Sequence, residues 1–204
     1  MTATSSKKPE PYHHGDLKAA VLKRSAEIIS EKGIEALSLR AVARDLGVSH
    51  GAPNRHFKSK SELLSALVTD IWNKMRDATL RSAEATGTEN PYVRLNALGR
   101  GYLRWALENK SEFQAMSHPD LRLYTDNSVR DSQIAFNDVI KSAVQAAQAA
   151  GRHADIDPML VTLYTTSVPF GAAMLVTNAL MRMDDQVMDQ EALITGLINL
   201  VVPV

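Results

Sequence analysis

Residues 33–64 read GIEALSLRAVARDLGVSHGAPNRHFKSKSELL and carry the clearest structural pattern in the chain. Ser38 precedes apolar residues at positions 39, 42, 43 and 46, and this spacing predicts a short helix with a serine cap. The Gly47-Val48-Ser49 turn ends that helix, because glycine readily adopts a left-handed backbone conformation. A second short helix is predicted at residues 50–57, with Ser49 as its cap and Pro53 near its first turn. Together they predict a helix-turn-helix, which places its second helix in the major groove of DNA.

The sequence around this unit predicts an all-α protein with about nine helices. Capping boxes occur at residues 59–62 and 111–114, and Asn90-Pro91 and Asp157-Pro158 each place a capping side chain before a first-turn proline. The predicted helices lie at about residues 16–31, 39–46, 50–57, 61–85, 91–109, 111–117, 127–150, 158–181 and 189–202, with a loop at residues 118–125.

The formal net charge of zero conceals an uneven distribution of charge along the chain. Residues 1–60 contain eleven Lys or Arg and six Asp or Glu, a net charge of +5, whereas residues 61–204 have a net charge of −5. A basic end on an acidic body indicates contact with a polyanion, although a chance partition is the alternative. The chain has no cysteine, and its polar first fifteen residues do not resemble a secretory signal. A cytoplasmic location is therefore expected.

The quoted stretch resembles the DNA-binding head of the tetracycline-repressor (TetR) family. The matching features are Gly33, Ser38-Leu39, Ala43, the Gly47-Val48-Ser49 turn, His56-Phe57, and Lys60 followed by Leu63-Leu64. The resemblance implies a homodimeric repressor whose head binds a palindromic double-stranded DNA operator and whose body binds a small-molecule effector of unknown identity. On this basis we assign residues 1–14 to a flexible basic arm, residues 15–60 to the helix-turn-helix domain, and residues 61–204 to effector binding and dimerisation.

Eight residues are expected to contact DNA. Small residues at the start of the second predicted helix allow its backbone to approach the groove, and the polar and basic side chains near them can reach bases or phosphates. The set is Arg40, Ser49, His50, Gly51, Asn54, Arg55, His56 and Lys60. Within it, His56 and Lys60 match positions that contact phosphate in the family. Asn54 stands where the family usually has tyrosine, so contact with a base and contact with a phosphate both remain open for it.

The body contains aromatic and methionine residues that together suit an effector pocket, although any one of them alone is better explained as a core residue. They are Tyr102, Trp105, Phe113, Met116, Phe136, Tyr164, Phe170 and Met174. The start at residues 12–16 and the segment 102–116 resemble a branch of the family whose C-terminal domain carries a Trp-x-x-His-Gly sequence. Here the corresponding stretch reads Val168-Pro169-Phe170-Gly171, so the effector preference of that branch does not transfer to this chain.

The last two predicted helices are expected to form the interface of a two-fold symmetric dimer, as the resemblance also implies. Residues 158–181 carry no charge, and the final helix presents Leu193, Ile194, Leu197, Ile198 and Val201. Such apolar surface favours association when it is left in water. The predicted helix at residues 61–85 joins the head to the body, so a tilt of this helix would move the two heads of a dimer apart.

Other classes of protein are less well supported by the sequence. Residues 158–181 are long enough to span a membrane, but their threonines and acidic flanks predict instead a helix buried in protein on nearly all sides. His13-His14 lacks a third metal ligand and His56 has no nucleophile near it, so no metal, cofactor or catalytic residue is expected. The alternative function is a DNA-bound structural or division-control protein without an effector. A helical-bundle enzyme or small-molecule carrier comes third.

Overall fold

The computed structural model describes residues 17–124, 126–180 and 189–204. These residues form α-helices and no strands, which confirms the all-α fold. The helices are α1 (Leu17–Lys32), α2 (Leu39–Asp45), α3 (Lys60–Glu84), α4 (Pro91–Glu108), α5 (Lys110–Met116), α6 (Asn127–Ala149), α7 (Pro158–Thr177) and α8 (Gln190–Val201). Short 3-10 helices lie at Ile34–Ala36, Pro53–Arg55 and Pro119–Tyr124, the last in a segment that was expected to be a loop. The arm assigned to residues 1–14 lies outside the described residues.

A small hydrophobic core organises the head, which consists of α1, α2 and the segment that leads into α3. Val21, Val42, Phe57 and Leu64 are each at most 1% exposed, so all of these segments contribute side chains to one interior. Ala43 of α2 is also fully buried, as expected where a larger side chain would push neighbouring segments away. Because Leu64 belongs to α3, the long connecting helix is anchored in the head.

An ion pair fixes α2 against α1. The Arg24 guanidinium donates from Nε and Nη2 to Oδ2 of Asp45, at 3.1 and 2.9 Å, and also binds Glu27 at 2.8 Å. These hydrogen bonds hold the pKa of the Asp45 carboxyl below its usual value. The pair lies at the surface, where its contribution to stability is small, so its role is to orient α2.

Most helix starts carry the capping residue identified in the sequence. A main-chain N–H in the first turn of α2, α3, α4, α6 and α7 donates, respectively, to the side chains of Ser38, Ser59, Asn90, Asp126 and Asp157. Helix α5 begins at Lys110 after Asn109, so the box predicted at residues 111–114 does not cap it, and Asp189 before α8 makes no capping hydrogen bond either. The Asn109 side chain instead donates to the Trp105 carbonyl and ends α4.

The turn after α2 has the geometry that its glycine predicts. Gly47 has a φ of 66°, in the left-handed region. The Val48 N–H donates to the Ala43 carbonyl at 3.0 Å, and the Gly47 N–H donates to the Arg44 carbonyl at 3.1 Å. These two bonds satisfy carbonyls at the end of α2 and set the direction in which the chain leaves it.

The second short helix of the predicted helix-turn-helix is a 3-10 helix at Pro53–Arg55, so the predicted extent of residues 50–57 is wrong. Residues 50–52 form turns and Pro53–Arg55 form a 3-10 helix. Pro53 has no N–H to donate to the Ser49 carbonyl, which instead accepts from the Ala52 N–H, only three residues away, at 2.9 Å. The Arg55 and His56 N–H groups also donate to carbonyls three residues before them. The proline therefore favours the tighter 3-10 pattern.

In the body, α3 and α4 approach each other closely at Gly101. A Cβ atom placed at Gly101 would lie 2.6 Å from the Cβ of Ser82 and 3.0 Å from the Cα of Thr79, both on α3. Separations this short are not tolerated between carbon atoms, and one of the two atoms belongs to the backbone. The distance between the two helices therefore depends on the absence of a side chain at this position.

We expect Gly101→Ala to destabilise the protein, because the added methyl group would push α3 away from α4. Overpacking of this kind costs about 1–3 kcal/mol, which should lower Tm by several degrees in a thermal melt. Gly196→Ala in α8 is the matched control. A Cβ there would have open space, because no atom lies within 4 Å of it. Equal Tm values for the two variants would contradict this account of the packing.

Helix α8 buries residues that were expected to lie in a dimer interface. Ile194, Ile198 and Val201 are each at most 7% exposed within the single chain. They pack in the core of the protomer, and Ile198 lies against Gly99 of α4. The expectation is therefore wrong for these three residues. Its physical reason is the small surface at Gly99, which lets α8 pack closely on α4.

Helix α7 is much more exposed than expected. Only Val161, Pro169, Ala173 and Thr177 are buried, so the prediction that the protein surrounds it on nearly all sides is wrong for the single chain. Among the described residues, α7 is the one helix long and apolar enough to cross a membrane by length and composition alone. One side of it packs against α4, α5, α6 and α8. The opposite side carries exposed large apolar side chains, which include Leu160, Tyr164 and Leu175.

Candidate nucleic-acid interface and ligand cavity

The eight residues expected to contact DNA lie along one stretch of surface, from α2 to the start of α3. Seven of them are exposed, and Lys60 is partly buried. Pro53 and Phe57 are buried beneath this stretch and anchor it to the core of the head. Asn54, Arg55 and His56 lie between these two buried residues, so their exposed side chains belong to a segment that is held in place.

Four cations on this stretch are available to an anionic partner. The ion pairs of the head use Arg24 and Arg44. Among the described residues, no carboxylate lies within ion-pair distance of Arg40, Arg55, Lys58 or Lys60. Neutralising DNA phosphates with such side chains releases counterions and supplies affinity that does not depend on sequence.

Lys58 is a member of this surface that the sequence analysis did not single out. Its Nζ lies 3.5 Å from the main-chain carbonyl oxygen of Asn54, and its main-chain N–H donates to the Glu62 carboxylate at 2.6 Å. The Glu62 N–H in turn donates to Ser59. The capping box at residues 59–62 could have identified Lys58, because the glutamate of the box binds the main-chain N–H of this preceding residue and so fixes its position.

A cavity of about 830 Å³ lies in the body between α3, α4, α6 and α7. Its volume is in the range of sites that bind small molecules. The inner wall is apolar and aromatic, and includes Trp72, Met75, Leu98, Tyr102, Phe136, Pro169 and Phe170. The charged side chains on the wall, Asp138, Lys141 and Asp157, are exposed and therefore form its rim. A cavity with an apolar interior and a charged rim can hold a mainly apolar molecule that carries only a few polar groups.

Four of the eight residues expected to bind an effector line this cavity: Tyr102, Met116, Phe136 and Phe170. Phe113 is fully buried behind the wall, with its ring centroid 6.5 Å from that of Tyr102 and 5.9 Å from that of Phe170. Trp105 lies instead in a separate cleft lined by charged residues of α3 and α4. Tyr164 and Met174 are not part of the cavity wall, and Tyr164 is exposed.

The sequence analysis missed Trp72, which contributes to the wall from α3. The ring of Trp72 lies 5.4 Å from the ring of Phe136, and Phe136 lies 6.0 Å from Tyr102. Trp72 directly follows Ile71, which belongs to the buried stripe of α3. Adjacent residues of a helix point in different directions, so the helical spacing did not predict that Trp72 faces the interior. It brings the helix that leaves the head into contact with the cavity.

Gln114 of α5 joins the head to the far end of α7. Its Oε1 accepts a hydrogen bond from the Ser30 hydroxyl of α1 at 2.6 Å. Its Nε2 donates to the carbonyl of Thr177, the last residue of α7, at 2.7 Å. Because α7 also lines the cavity and Phe113 packs against two of its wall residues, a continuous set of contacts connects the cavity wall to α1.

Within the described parts of the chain, no group of three or more His, Cys, Asp or Glu side chains could hold a metal ion. The pair His13-His14 lies outside those parts. His56 is exposed and stands beside Phe57, with 6.3 Å between the ring centroids. Its position on the basic surface suits contact with a phosphate.

Two family models match the chain. Residues 21–67 match the model described as bacterial regulatory proteins, tetR family. Residues 95–199, just over half of the chain, match the model described as the tetracyclin repressor-like C-terminal domain. The first match contains the basic surface, and the second contains most of the cavity wall. Neither match bears on the branch with the Trp-x-x-His-Gly sequence, which stays a prediction.

Known proteins support the same relationship. An HTH-type transcriptional regulator of Mycobacterium tuberculosis is 28% identical over 97 residues, 48% of this chain and 42% of that protein. The chain thus spans less than half the length of the curated relatives it matches. A protein of unknown function from Rhodococcus sp. RHA1 is 27% identical with a TM-score of 0.72, covering 94% of this chain and 96% of that chain. A TetR family transcription regulator from Marinobacter aquaeolei VT8 has a TM-score of 0.71 at 15% identity, with 91% and 94% covered.

Proposed function

The chain belongs to the TetR family of bacterial transcriptional regulators, and we propose that it is a repressor whose affinity for DNA is controlled by a small molecule. It binds a palindromic double-stranded operator as a homodimer in the cytoplasm, and an effector bound in the body weakens that binding. The observation that carries this proposal is the combination of an unpaired basic surface on the head with an apolar cavity in the body. The two are joined by α3, which is anchored in both.

In this proposal, residues 15–60 bind DNA and residues 61–204 bind the effector and form the dimer. Arg40, Lys58, His56 and Lys60 contact phosphates, and Ser49, His50, Gly51, Asn54 and Arg55 lie at the groove. Because the segment at residues 50–57 is short and tightly turned, it presents few side chains to the bases. Sequence preference should therefore be concentrated in a few base pairs of each half-site.

The dimer forms through the exposed apolar side of α7, together with the outer side of α8. This side of α7 carries no charged residue from Pro158 to Thr177, and Gly171 has open space where a side chain would be. An exposed uncharged apolar face of this kind favours association. The symmetry of such a dimer matches a palindrome with half-sites about one helical turn apart.

Selection of duplexes from a random pool tests the proposed function. We expect enrichment of an inverted repeat by the full chain, and loss of that enrichment in the double variant Arg40→Ala/Arg55→Ala. The cavity variant Phe136→Leu serves as the control and should select the same repeat. No enrichment by the unmodified chain would contradict the proposal. Enrichment that persists without any response to small molecules would favour the alternative of a DNA-bound protein without an effector.

We expect Lys60→Ala to weaken binding to the selected operator and to unrelated duplexes by about the same factor. One lost phosphate contact should also reduce the slope of log K against log salt concentration by about one. Titrations at several salt concentrations measure both quantities. Arg130→Ala removes an exposed cation of α6 and is the control. If Lys60→Ala changed which DNA sequences the protein prefers, the assignment of Lys60 to a phosphate contact would be contradicted.

A further inference from the structure

The polar groups of the cavity differ in whether they already have a hydrogen-bond partner. Four hydroxyl side chains of α7 lie on its wall. Each of them donates to a main-chain carbonyl of its own helix, at 2.7 to 3.2 Å; they are Thr162, Thr165, Thr166 and Ser167. These groups therefore have no free hydrogen to offer a ligand. The charged side chains of the rim are exposed to water and do not define the interior.

Asn137, which also lines the cavity, is exposed to water like the charged rim, so Tyr102 is the exception among the buried wall residues. Its side chain lies on the inner wall and the residue is only 8% exposed, yet its hydroxyl has no hydrogen-bond partner in the described part of the chain. The hydroxyl oxygen is not fully enclosed by protein, so a molecule bound in the cavity can reach it and accept its hydrogen. Burial also raises the pKa of the Tyr102 phenol, so the group stays protonated and acts as a neutral donor.

The surroundings of Tyr102 restrict the charge of an occupant. Its ring packs near Phe113 and Phe136, and both neighbours are buried. No Lys, Arg, Asp or Glu side chain of the described cavity wall is buried, because the three that line it are exposed. An ion placed beside Tyr102 would lose its hydration without gaining a counter-charge, which is costly.

We propose that the cavity takes an uncharged apolar molecule with one hydrogen-bond acceptor, such as a ketone carbonyl, that receives the Tyr102 hydroxyl. This inference rests on the proposed function, since it assigns a ligand class to the same effector site. The apolar part of the molecule lies between Trp72, Phe136 and Phe170. The acceptor lies beside Tyr102 on α4. The Tyr102 ring lies near Phe113, which connects this part of the cavity to α5.

Matched probes test this assignment. Butyrophenone and butylbenzene differ only in a carbonyl group in place of a methylene, and 4-phenylbutyrate and 4-phenylbutylammonium add a charge of either sign. The chain has two tryptophans, so Trp105→Phe leaves Trp72 of the cavity wall as the only fluorescent indole. Titrations that follow Trp72 fluorescence give a dissociation constant for each probe with Tyr102 and with Tyr102→Phe. Tyr92→Phe, outside the cavity, is the control.

We expect Tyr102→Phe to weaken butyrophenone about 3- to 10-fold, the usual loss for one neutral hydrogen bond. Butylbenzene should bind equally well or better in the same variant, and Tyr92→Phe should change neither probe. The two charged probes should bind more than tenfold more weakly than butyrophenone. Equal effects of Tyr102→Phe on both neutral probes, or tighter binding of a charged probe, would overturn the ligand class but leave the effector site standing. Binding of none of the four probes would overturn both proposals.

Discussion

Replacing Leu160 by aspartate should convert the protein from a dimer into a monomer and lower its affinity for the operator by about 10²- to 10⁴-fold. Leu160 is 59% exposed in the single chain, on the side of α7 that carries no charge. A carboxylate buried in that interface would lose its hydration without a partner. The monomer would then hold the operator through one head only, and the gain from linking two half-sites would be lost.

Light scattering at micromolar concentration and titration of the operator on the same sample measure the two effects. Ile134→Asp is the control, because Ile134 is also a large exposed apolar residue but lies on α6. It should leave both the mass and the affinity unchanged. A dimer that survives Leu160→Asp would contradict the assignment of α7 to the interface.

Replacing Gln114 by methionine should uncouple the cavity from DNA binding. The variant keeps the length of the side chain but removes the hydrogen bonds to Ser30 of α1 and Thr177 of α7. Typical coupling between two sites in a protein amounts to a factor of about 5 to 150. We expect this factor to fall toward one, with affinities for the operator alone and the ligand alone changed little.

Two further variants locate the effect. Ser30→Ala removes only the bond to the head and should reduce the coupling in part. Gln148→Met is the control, because the Gln148 amide also donates to two main-chain carbonyls, those of His153 and Ile156, but both lie in the body. It should leave the coupling intact. Full coupling in Gln114→Met would exclude this contact as the route from the cavity to the head.

Much of the fold could be predicted because its signals are local. A capping side chain such as Ser38 or Asp157 needs only the N–H groups that follow it in sequence, so helix starts can be identified without tertiary information. Gly47 likewise marks its turn through its own backbone conformation. The same reasoning failed at residues 50–57, where Pro53 had been treated as compatible with a first turn although its missing N–H changed the pattern of the segment.

The features that could not be predicted depend on neighbours distant in sequence. Tyr102 and Trp105 are three residues apart, about 60° around a helix, and α3 separates the surfaces they face. Ile198 has the apolar character of an interface residue, and only the close approach to Gly99 shows that it belongs to the protomer. The unpartnered state of the Tyr102 hydroxyl requires knowledge of every group around it. Local spacing contains none of this information.

Control of the DNA-binding surface by the cavity is tested most directly by measuring the linkage in both directions. The affinity of the full chain for its selected operator is measured with and without saturating butyrophenone, or whichever of the four probes binds most tightly. The affinity for that probe is then measured with and without saturating operator. Our account predicts that each ligand weakens the other by the same factor, between about 5 and 150. Operator affinity that does not change when the cavity is filled would contradict it.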